Sequence, residues 1–326
     1  MMGQGDSQAP PVVATIGAFD GLHRGHQLLI GRVRERAAEA SAAPTLVTFD
    51  PHPDALLRHP PLIAQLTPCP EKLRRLRALG IAEPLVLAFT RGLAEAEPEA
   101  FIRDELLPRL RLRGLVIGYD FRFGRRGGGD AAQLTEIGRR AGFWVEQQPA
   151  VCWNGAPISS TRIRAALGDG DVAAAATMLG RPYAVSGAVT SGQGLGSREL
   201  VPTANLTTPA QKLLPAPGVY LVSGGPPPAD WGGVAHVGAA PTVGRSEAHQ
   251  IEAHWLDFGG DLRGQQLEVR FLERLRKPVR FPDLAALRDA IAADVDRARR
   301  RLAERPPRGR GASARENGLA NAQGEC

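Results

Sequence analysis

Near the amino terminus, the segment Gly17-Ala18-Phe19-Asp20-Gly21-Leu22-His23-Arg24-Gly25-His26 gathers residue types that handle phosphate. It follows an apolar strand-like run and opens a helical pattern. Glycines at such a turn let the backbone come close to a phosphate, and the helix start adds free N–H groups and a positive dipole end. His23 and His26 are three apart, so both rings leave the same face of the first turn. Two imidazoles beside a helix N-terminus suit attack on the α-phosphorus of a triphosphate. Charge then builds on non-bridging oxygens and on the departing pyrophosphate, and no covalent nucleophile is needed.

A second set lies in the carboxyl half. Gly187-x-Val189-x-x-Gly192-x-Gly194-x-Gly196 leads into Pro202-Thr203-Ala204-Asn205-Leu206. A glycine-rich turn next to a strand can wrap phosphates with backbone N–H groups. Thr203 and Asn205 place two oxygens on one face of an extended segment, a donor pair for a hard divalent cation shared with phosphate. Three further stretches carry polar groups at turns: Phe49-Asp50-Pro51-His52-Pro53, Gly118-Tyr119-Asp120-Phe121-Arg122-Phe123-Gly124 with the basic glycine run Arg125–Gly129, and Ile158-Ser159-Ser160-Thr161-Arg162-Ile163-Arg164. In the last, hydroxyls and N–H groups at a helix start, with Arg164 one turn in, make an anion cradle. Taken singly, each stretch also reads as an ordinary turn, linker or cap.

The elements around these residues fall into two patterns. In the first half, strands at Val12–Ile16, Thr45–Phe49, Leu85–Phe89, Leu115–Gly118 and Phe143–Glu146 alternate with helical stretches running to about residue 40 and over Glu71–Leu79, Pro98–Leu110 and Ala131–Ala141. Alternating β and α units imply a parallel sheet covered by helices on both faces, with ligands beyond the carboxyl ends of the strands. Two short helices follow, Thr161–Leu167 capped by Ser160 and ended by Gly168, and Val172–Leu179 started by Asp171 and ended by Gly180. From Arg181 strands follow without helices between them, at Tyr183–Thr190, Val219–Ser223, Gly233–Val237, Gln250–Leu256 and Leu267–Phe271, which predicts an antiparallel sheet or barrel. A helix over Asp283–Leu302 carries Leu284, Leu287, Ile291 and Val295 on one face. The expected organisation is a flexible start over 1–11, domains over 12–180 and 181–303, and a disordered basic tail over 304–326.

The 326 residues suffice for two such domains, and 43% hydrophobic with 23% charged residues is the balance of a folding chain. The net charge of +6 is concentrated at one end. Eight Arg against three Glu from Arg297 onward give +5 there, leaving a nearly neutral body. That is a poor footprint for nucleic acid. Only Lys72, Lys212 and Lys277 are lysines, so phosphate contacts fall to arginine, backbone N–H groups or metal. Cys69, Cys152 and Cys326 are scattered without metal-ligand spacing. No run is long and apolar enough for a membrane span and no secretory pattern opens the chain, so a cytoplasmic location without membrane partners is expected.

Together these motifs resemble the bacterial bifunctional riboflavin kinase and FAD synthetase family over nearly the whole chain except its two ends. GxFDGxHxGH, FDPHP, GxDFRFG and ISSTxIR match at the positions quoted above, as do Gly238-x-x-Pro241-Thr242 and the strand Ile251-Glu252-Ala253-His254-Trp255-Leu256-Asp257-Phe258. The resemblance implies an α/β protein. Its first part would be a Rossmann-like, doubly wound parallel sheet of the HxGH nucleotidylyltransferase type, and its second an antiparallel riboflavin kinase barrel with a C-terminal helix. It further implies that riboflavin and ATP give FMN in the barrel, and that FMN and ATP give FAD and pyrophosphate in the first domain. In the adenylyltransferase, Gly17, Phe19, Asp20, His23, Gly25, His26, Asp120, Ser160, Thr161 and Arg164 would bind ATP, and Asp50, His52, Pro53 and Phe123 the flavin. In the kinase, Gly192, Gly194, Gly196, Thr203 and Asn205 would bind ATP, with Thr203 and Asn205 holding Mg2+, Glu252 acting as base, and Arg276 and Phe281 meeting the flavin. Partners would be small molecules alone, with any self-association weak. Where the family has GRxLGFPTAN, GDLYG and LRxExxF, this chain has Gly196–Asn205 reading GSRELVPTAN, Gly260–Gly264 reading GDLRG, and Leu275–Phe281 reading LRKPVRF. An FMN adenylyltransferase whose barrel only binds flavin, and a transferase for another acceptor, stay open at this stage.

Overall fold

A computed structural model describes residues 10–59, 64–190, 203–226, 230–239 and 249–305. They fall into two compact units that part between Ile158 and Ser159.

The first unit is built on five parallel strands, β1 (Val12–Ile16), β2 (Ala43–Asp50), β3 (Leu85–Ala88), β4 (Leu112–Ile117) and β5 (Trp144–Gln147), in the order β3-β2-β1-β4-β5. All five residues of central β1 are buried, as expected of a parallel strand covered on both faces. Alternate residues feed two cores. Val13, Leu46 and Val116 pack with Leu29, Ile30 and Val33 of α1 (Arg24–Glu39) and Leu76 of α3 (Cys69–Ala78), which follows the short α2 (Pro53–Leu57). Ala14, Val47 and Leu115 pack on the other face against Phe101 and Ile102, and against Leu134 and Ile137. These last come from the stretch after α4 (Arg91–Ala94), where α5 (Pro98–Ala100) runs into a π-helical turn over Phe101–Leu106, and from α6 (Ala131–Ala141). The expected helix to Leu110 therefore stops early: Leu107 N donates to Ile102 O five residues back, a wide turn that a 3.6-residue pattern does not anticipate. Hairpin β6 (Cys152–Trp153) and β7 (Ala156–Pro157) completes the unit.

The second unit opens with α7 (Ser160–Asp169) and α8 (Val172–Leu179). Ser159, not Ser160, caps α7 by accepting from Arg162 N at 3.3 Å, and the helix ends at left-handed Gly170 rather than Gly168. Helix α8 lies against barrel strands through buried Val172, Ala175, Met178 and Leu179, so by packing the two helices go with the barrel. The strands β8 (Tyr183–Thr190), β9 (Ala204–Thr207), β10 (Gly218–Gly224), β11 (Trp231–Ala239), β12 (His249–Trp255) and β13 (Gln266–Arg276) close in the order β10-β11-β12-β9-β8-β13. Strand β9 was legible only as an extended segment around Thr203 and Asn205.

The last helix, α9 (Leu284–Ala303), docks on the outside of the barrel. Its contact face differs from the expected stripe. Leu284 is 47% exposed, whereas Val295, Ala298 and Leu302 meet Val219, Leu221 and Leu275. A polar clamp fixes the helix beside this patch: buried Asp294 accepts from Arg276 Nε and Nη2 at 2.8–3.0 Å. Removing one partner of such a pair strands the other without compensation. Asp294→Ala is thus expected to lower the urea stability of the barrel unit by about 2–3 kcal/mol, read as a shift in its unfolding midpoint, and Arg276→Met with Asp294→Leu should recover part of the loss.

Candidate functional site

The loop between β1 and α1 lies beyond the carboxyl end of the central strand, beside β4, where the strand order reverses. Open α/β sheets bind ligands at this point. Gly17 N donates to Val47 O at 3.0 Å, after which the chain takes left-handed conformations at Phe19 (φ 51°), Gly21 (φ 85°) and Leu22 (φ 45°). Two of these three carry side chains, so surrounding bonds must hold them there. Asp20 supplies those bonds. Its carboxylate accepts from Leu66 N at 3.0 Å, Thr67 N at 2.8 Å and Thr67 Oγ1, while Thr67 Oγ1 accepts from Gly21 N at 2.8 Å. Both Asp20 oxygens are therefore engaged with the protein's own scaffold.

The loop delivers His23 as the N-cap of α1, its Nδ1 accepting from His26 N at 3.4 Å. The two imidazoles stack with centroids 3.6 Å apart, and Phe19 tilts against His26 at 4.9 Å. Gly25 sits under the pair, since a Cβ there would come within 3.2 Å of the His23 ring. The expected constellation of Gly17, Phe19, His23, Gly25 and His26 is thus gathered at one helix start. His23 is buried and His26 half-buried.

Beneath this loop is a cation that the sequence pattern did not single out. Lys72 of α3 is 2% exposed, and its Nζ donates to Ala18 O at 2.8 Å and to Thr48 Oγ1 at 3.0 Å. Burial pushes its pKa down, while neighbouring Cys69, Asp20 and Asp50 favour the charged form. Cys69, at the start of the same helix, is pushed up by burial and by Asp50. In the FDPHP turn, Asp50 is exposed, and buried His52 caps α2 by accepting from Asp54 N at 3.1 Å, with half-buried Pro53 at the first helical position.

The segment after β4 divides its residues. Asp120 is exposed, and with burial it raises the pKa of the neighbouring Tyr119. The Phe123 ring instead joins the core, stacked on Phe121 at 5.5 Å, while its backbone exchanges bonds with Gly129. Of the two rings, Phe121 is the more accessible. Ser160, Thr161 and Arg164 occupy the first turns of α7 in the second unit.

On the barrel, strand register brings the second group together. Asn205 of β9 pairs with Glu252 of β12, and Glu252 pairs on its other side with His236 of β11. Directly opposed residues share a face, so carboxamide, carboxylate and imidazole form one row. Thr203, two residues before Asn205, is exposed. The row continues through Val219 of β10 to Arg276 of β13, whose guanidinium is held by Asp294 and lies 5.5 Å over the Phe281 ring. His236 was missed because nothing in its local pattern distinguishes it from a solvated strand residue. His236 is exposed by its accessible surface, yet the protein around it lowers its pKa, opposed by Glu252. Gly192, Gly194 and Gly196, with Pro241 and Thr242, lie outside the described residues.

Such a sheet with stacked histidines at its first helix start defines a nucleotidyltransferase-type unit, and it is joined to an antiparallel barrel with a carboxylate row on its face. The class is a two-domain nucleotide-dependent transferase. Residues 6–162 match the FAD synthetase family and residues 179–302 the riboflavin kinase family. The chain is 40% identical to the bifunctional riboflavin kinase/FMN adenylyltransferase of Pseudomonas fluorescens, over 88% of this chain and 92% of that one. It is 38% identical to the protein of the same name from Escherichia coli K12, again over 88% and 92%. A crystal structure from Streptococcus pneumoniae, described as a macrolide-efflux protein, superposes with a TM-score of 0.82 at 29% identity over 90% of this chain and 95% of that one. No helix among the described residues is long and apolar enough to cross a membrane. The chain belongs to the bifunctional riboflavin kinase/FMN adenylyltransferase family.

The clamp at Asp20 has a testable cost. Asp20→Ala leaves the buried Leu66 and Thr67 N–H groups without their acceptor, so unfolding of the first unit is expected to lose about 2–4 kcal/mol by urea titration. Asp20→Asn, which keeps an acceptor oxygen, should lose less.

Proposed function

We propose that the chain makes FAD from riboflavin in two ATP-dependent steps. The barrel unit is the riboflavin kinase and the parallel-sheet unit the FMN adenylyltransferase, as its membership of the family implies. The observation that carries the residue assignments is that each unit gathers one compact polar group: the His23/His26 stack at a single helix start, and the Asn205–Glu252 row from strands far apart in sequence. Functional boundaries are placed at 12–180 and 181–303; the matched regions, 6–162 and 179–302, leave the stretch between them unassigned.

In the kinase, Glu252 takes the proton of the ribityl 5′-hydroxyl as its oxygen bonds to the γ-phosphorus of ATP and ADP leaves. Thr203 and Asn205 are two of the few protein oxygens that Mg2+ ordinarily takes alongside phosphate and water, and the donor set is hard, as that ion requires. Such a cation, when bound, neutralises charge on the transferring phosphoryl group. Gly192, Gly194 and Gly196 are assigned to the nucleotide on their sequence motif, and Arg276 with Phe281 borders the flavin, Arg276 serving also to hold α9.

In the adenylyltransferase, an FMN phosphate oxygen attacks the α-phosphorus of ATP and pyrophosphate leaves. His23, His26 and the N–H groups at the start of α1 stabilise the charge that develops. Gly17, Phe19 and Gly25 shape this floor. Asp20 supports the loop while its neighbours meet ATP, and Asp50, His52 and Pro53 belong to the flavin side, with Phe123 supporting that side from the core. Asp120, exposed after β4, faces nucleotide. Ser160, Thr161 and Arg164 are assigned to the outer phosphates on their sequence motif. Both steps draw on ATP, which supports a cytoplasmic location.

Resolving flavins by chromatography after incubation with ATP and Mg2+ tests the division. Glu252→Gln is expected to lower FMN formation by about 10²–10⁴-fold while supplied FMN still becomes FAD. His26→Ala should lower FAD formation by about 10²–10³-fold while FMN accumulates from riboflavin. Loss of both activities in either folded variant would overturn the division, and failure of the wild type to form FMN would leave the barrel as a flavin-binding unit.

A further inference from the structure

His236 on β11 is the direct cross-strand partner of Glu252, on the side away from Asn205. Opposed residues in an antiparallel pair have Cβ atoms about 4.5–5.5 Å apart, so imidazole and carboxylate are within reach of one another. The ring also has a place made for it. Gly238 lies two residues on, on the same face, and a Cβ there would come 2.5 Å from His236 Cε1 and 3.2 Å from Nε2. No side chain larger than hydrogen fits without moving the ring.

We propose that His236 is a positioning residue for riboflavin phosphorylation: its neutral ring steadies the Glu252 carboxylate for proton transfer, and its protonation draws that carboxylate into an ion pair that halts the step. This rests on Glu252 being the base. Charged groups face the ring from three elements, Glu252 from β12, Arg276 from β13 and Asp294 from α9, with His254 two residues along β12 on the same face. Arg276 and Asp294 bond to each other, whereas Glu252 is the charge directly opposed to the ring across the strand pair. Surrounding protein disfavours the imidazolium and lowers the ring's pKa from its ordinary 6.5, so the neutral form prevails at neutral pH. The kinase rate therefore falls as pH drops through a value below that ordinary one. Adenylyltransfer is made by other residues and does not share this limb.

The test uses the full chain and its His236→Gln, Gly238→Ala and Glu252→Gln variants, with FMN formation followed from about pH 5 to about pH 8. His236→Gln is expected to lower kcat about tenfold at neutral pH with little change in KM for riboflavin, and to lose the acid ionisation attributed to the ring. Gly238→Ala, which keeps the histidine but displaces it, should lower kcat in the same way, and quenching of riboflavin fluorescence shows that each barrel is folded. By NMR, the His236 ring should titrate at lower pH in Glu252→Gln than in the wild type, because a neighbouring negative charge has gone. A His236→Gln profile that superimposes on the wild type, or a ring titration indifferent to Glu252→Gln, overturns the proposal. Continued FMN formation by Glu252→Gln instead rejects the base assignment, so the two failures are told apart.

Discussion

A carboxylate only 2% exposed must find donors inside the protein, and Asp20 finds them on a segment more than forty residues away. Much of the first unit's chemistry depends on that choice. With Leu66, Thr67 and Gly21 tied to one network, the β1–α1 loop is held in conformations that Phe19 and Leu22 would not adopt alone. The loop's exit fixes where α1 begins, and hence where His23 caps it and His26 stacks. Lys72 closes the network from below by donating to Ala18 O and Thr48 Oγ1, tying α3 and β2 to the same loop. The site is preorganised by buried polar groups that satisfy one another, an arrangement that rewards completeness because an unmet partner in low dielectric is costly.

The barrel reaches a comparable result with a different device. Its polar row is set by strand register, since opposed residues on neighbouring strands share a face and a slip of one residue would turn every member to the other side. Closure leaves no strand in this sheet without a neighbour on both sides, so the pairing of Asn205, Glu252 and His236 is constrained from both directions. The Arg276–Asp294 bond then pins α9 beside the same row, joining stability to the surface that the kinase reading uses.

Local pattern and tertiary pairing account for what the sequence made legible. Strand Val12–Ile16, helices Ala131–Ala141 and Val172–Leu179, and strand Tyr183–Thr190 have the limits expected, because periodicity and cap residues agree at those places. The His23/His26 pair was legible because three-residue spacing at a helix start fixes its geometry. Lys72 was not, since a lysine in an amphipathic helix ordinarily reaches solvent and only packing beneath the loop buries it. His236 escaped for a related reason: its neighbours are on other strands, and the barrel's register is not written in β11. The face of α9 was misjudged at Leu284 because a hydrophobic stripe does not say which part of a long helix meets the core, whereas Val295, Ala298 and Leu302 do. Ser159 displaced Ser160 as the cap since either serine could serve by type, and one residue of helix phase decides between them.

The scarcity of lysine bears on how both sites handle charge. Of three lysines, Lys72 is sealed under the first loop, and Lys212 is buried with its ammonium 4.5 Å over the Tyr183 ring. Two of the few ammonium groups in the chain thus serve its interior. Developing phosphate charge must be met by arginine, backbone N–H groups, metal carried with the nucleotide, or imidazole. Of these, only imidazole changes charge near neutral pH. Histidine stands at both sites, as a stacked pair at the start of α1 and as the neighbour of Glu252 on the barrel. A chain that has put two of its three lysines to structural use thus meets both candidate sites with histidine, each ring set in place by the packing around it.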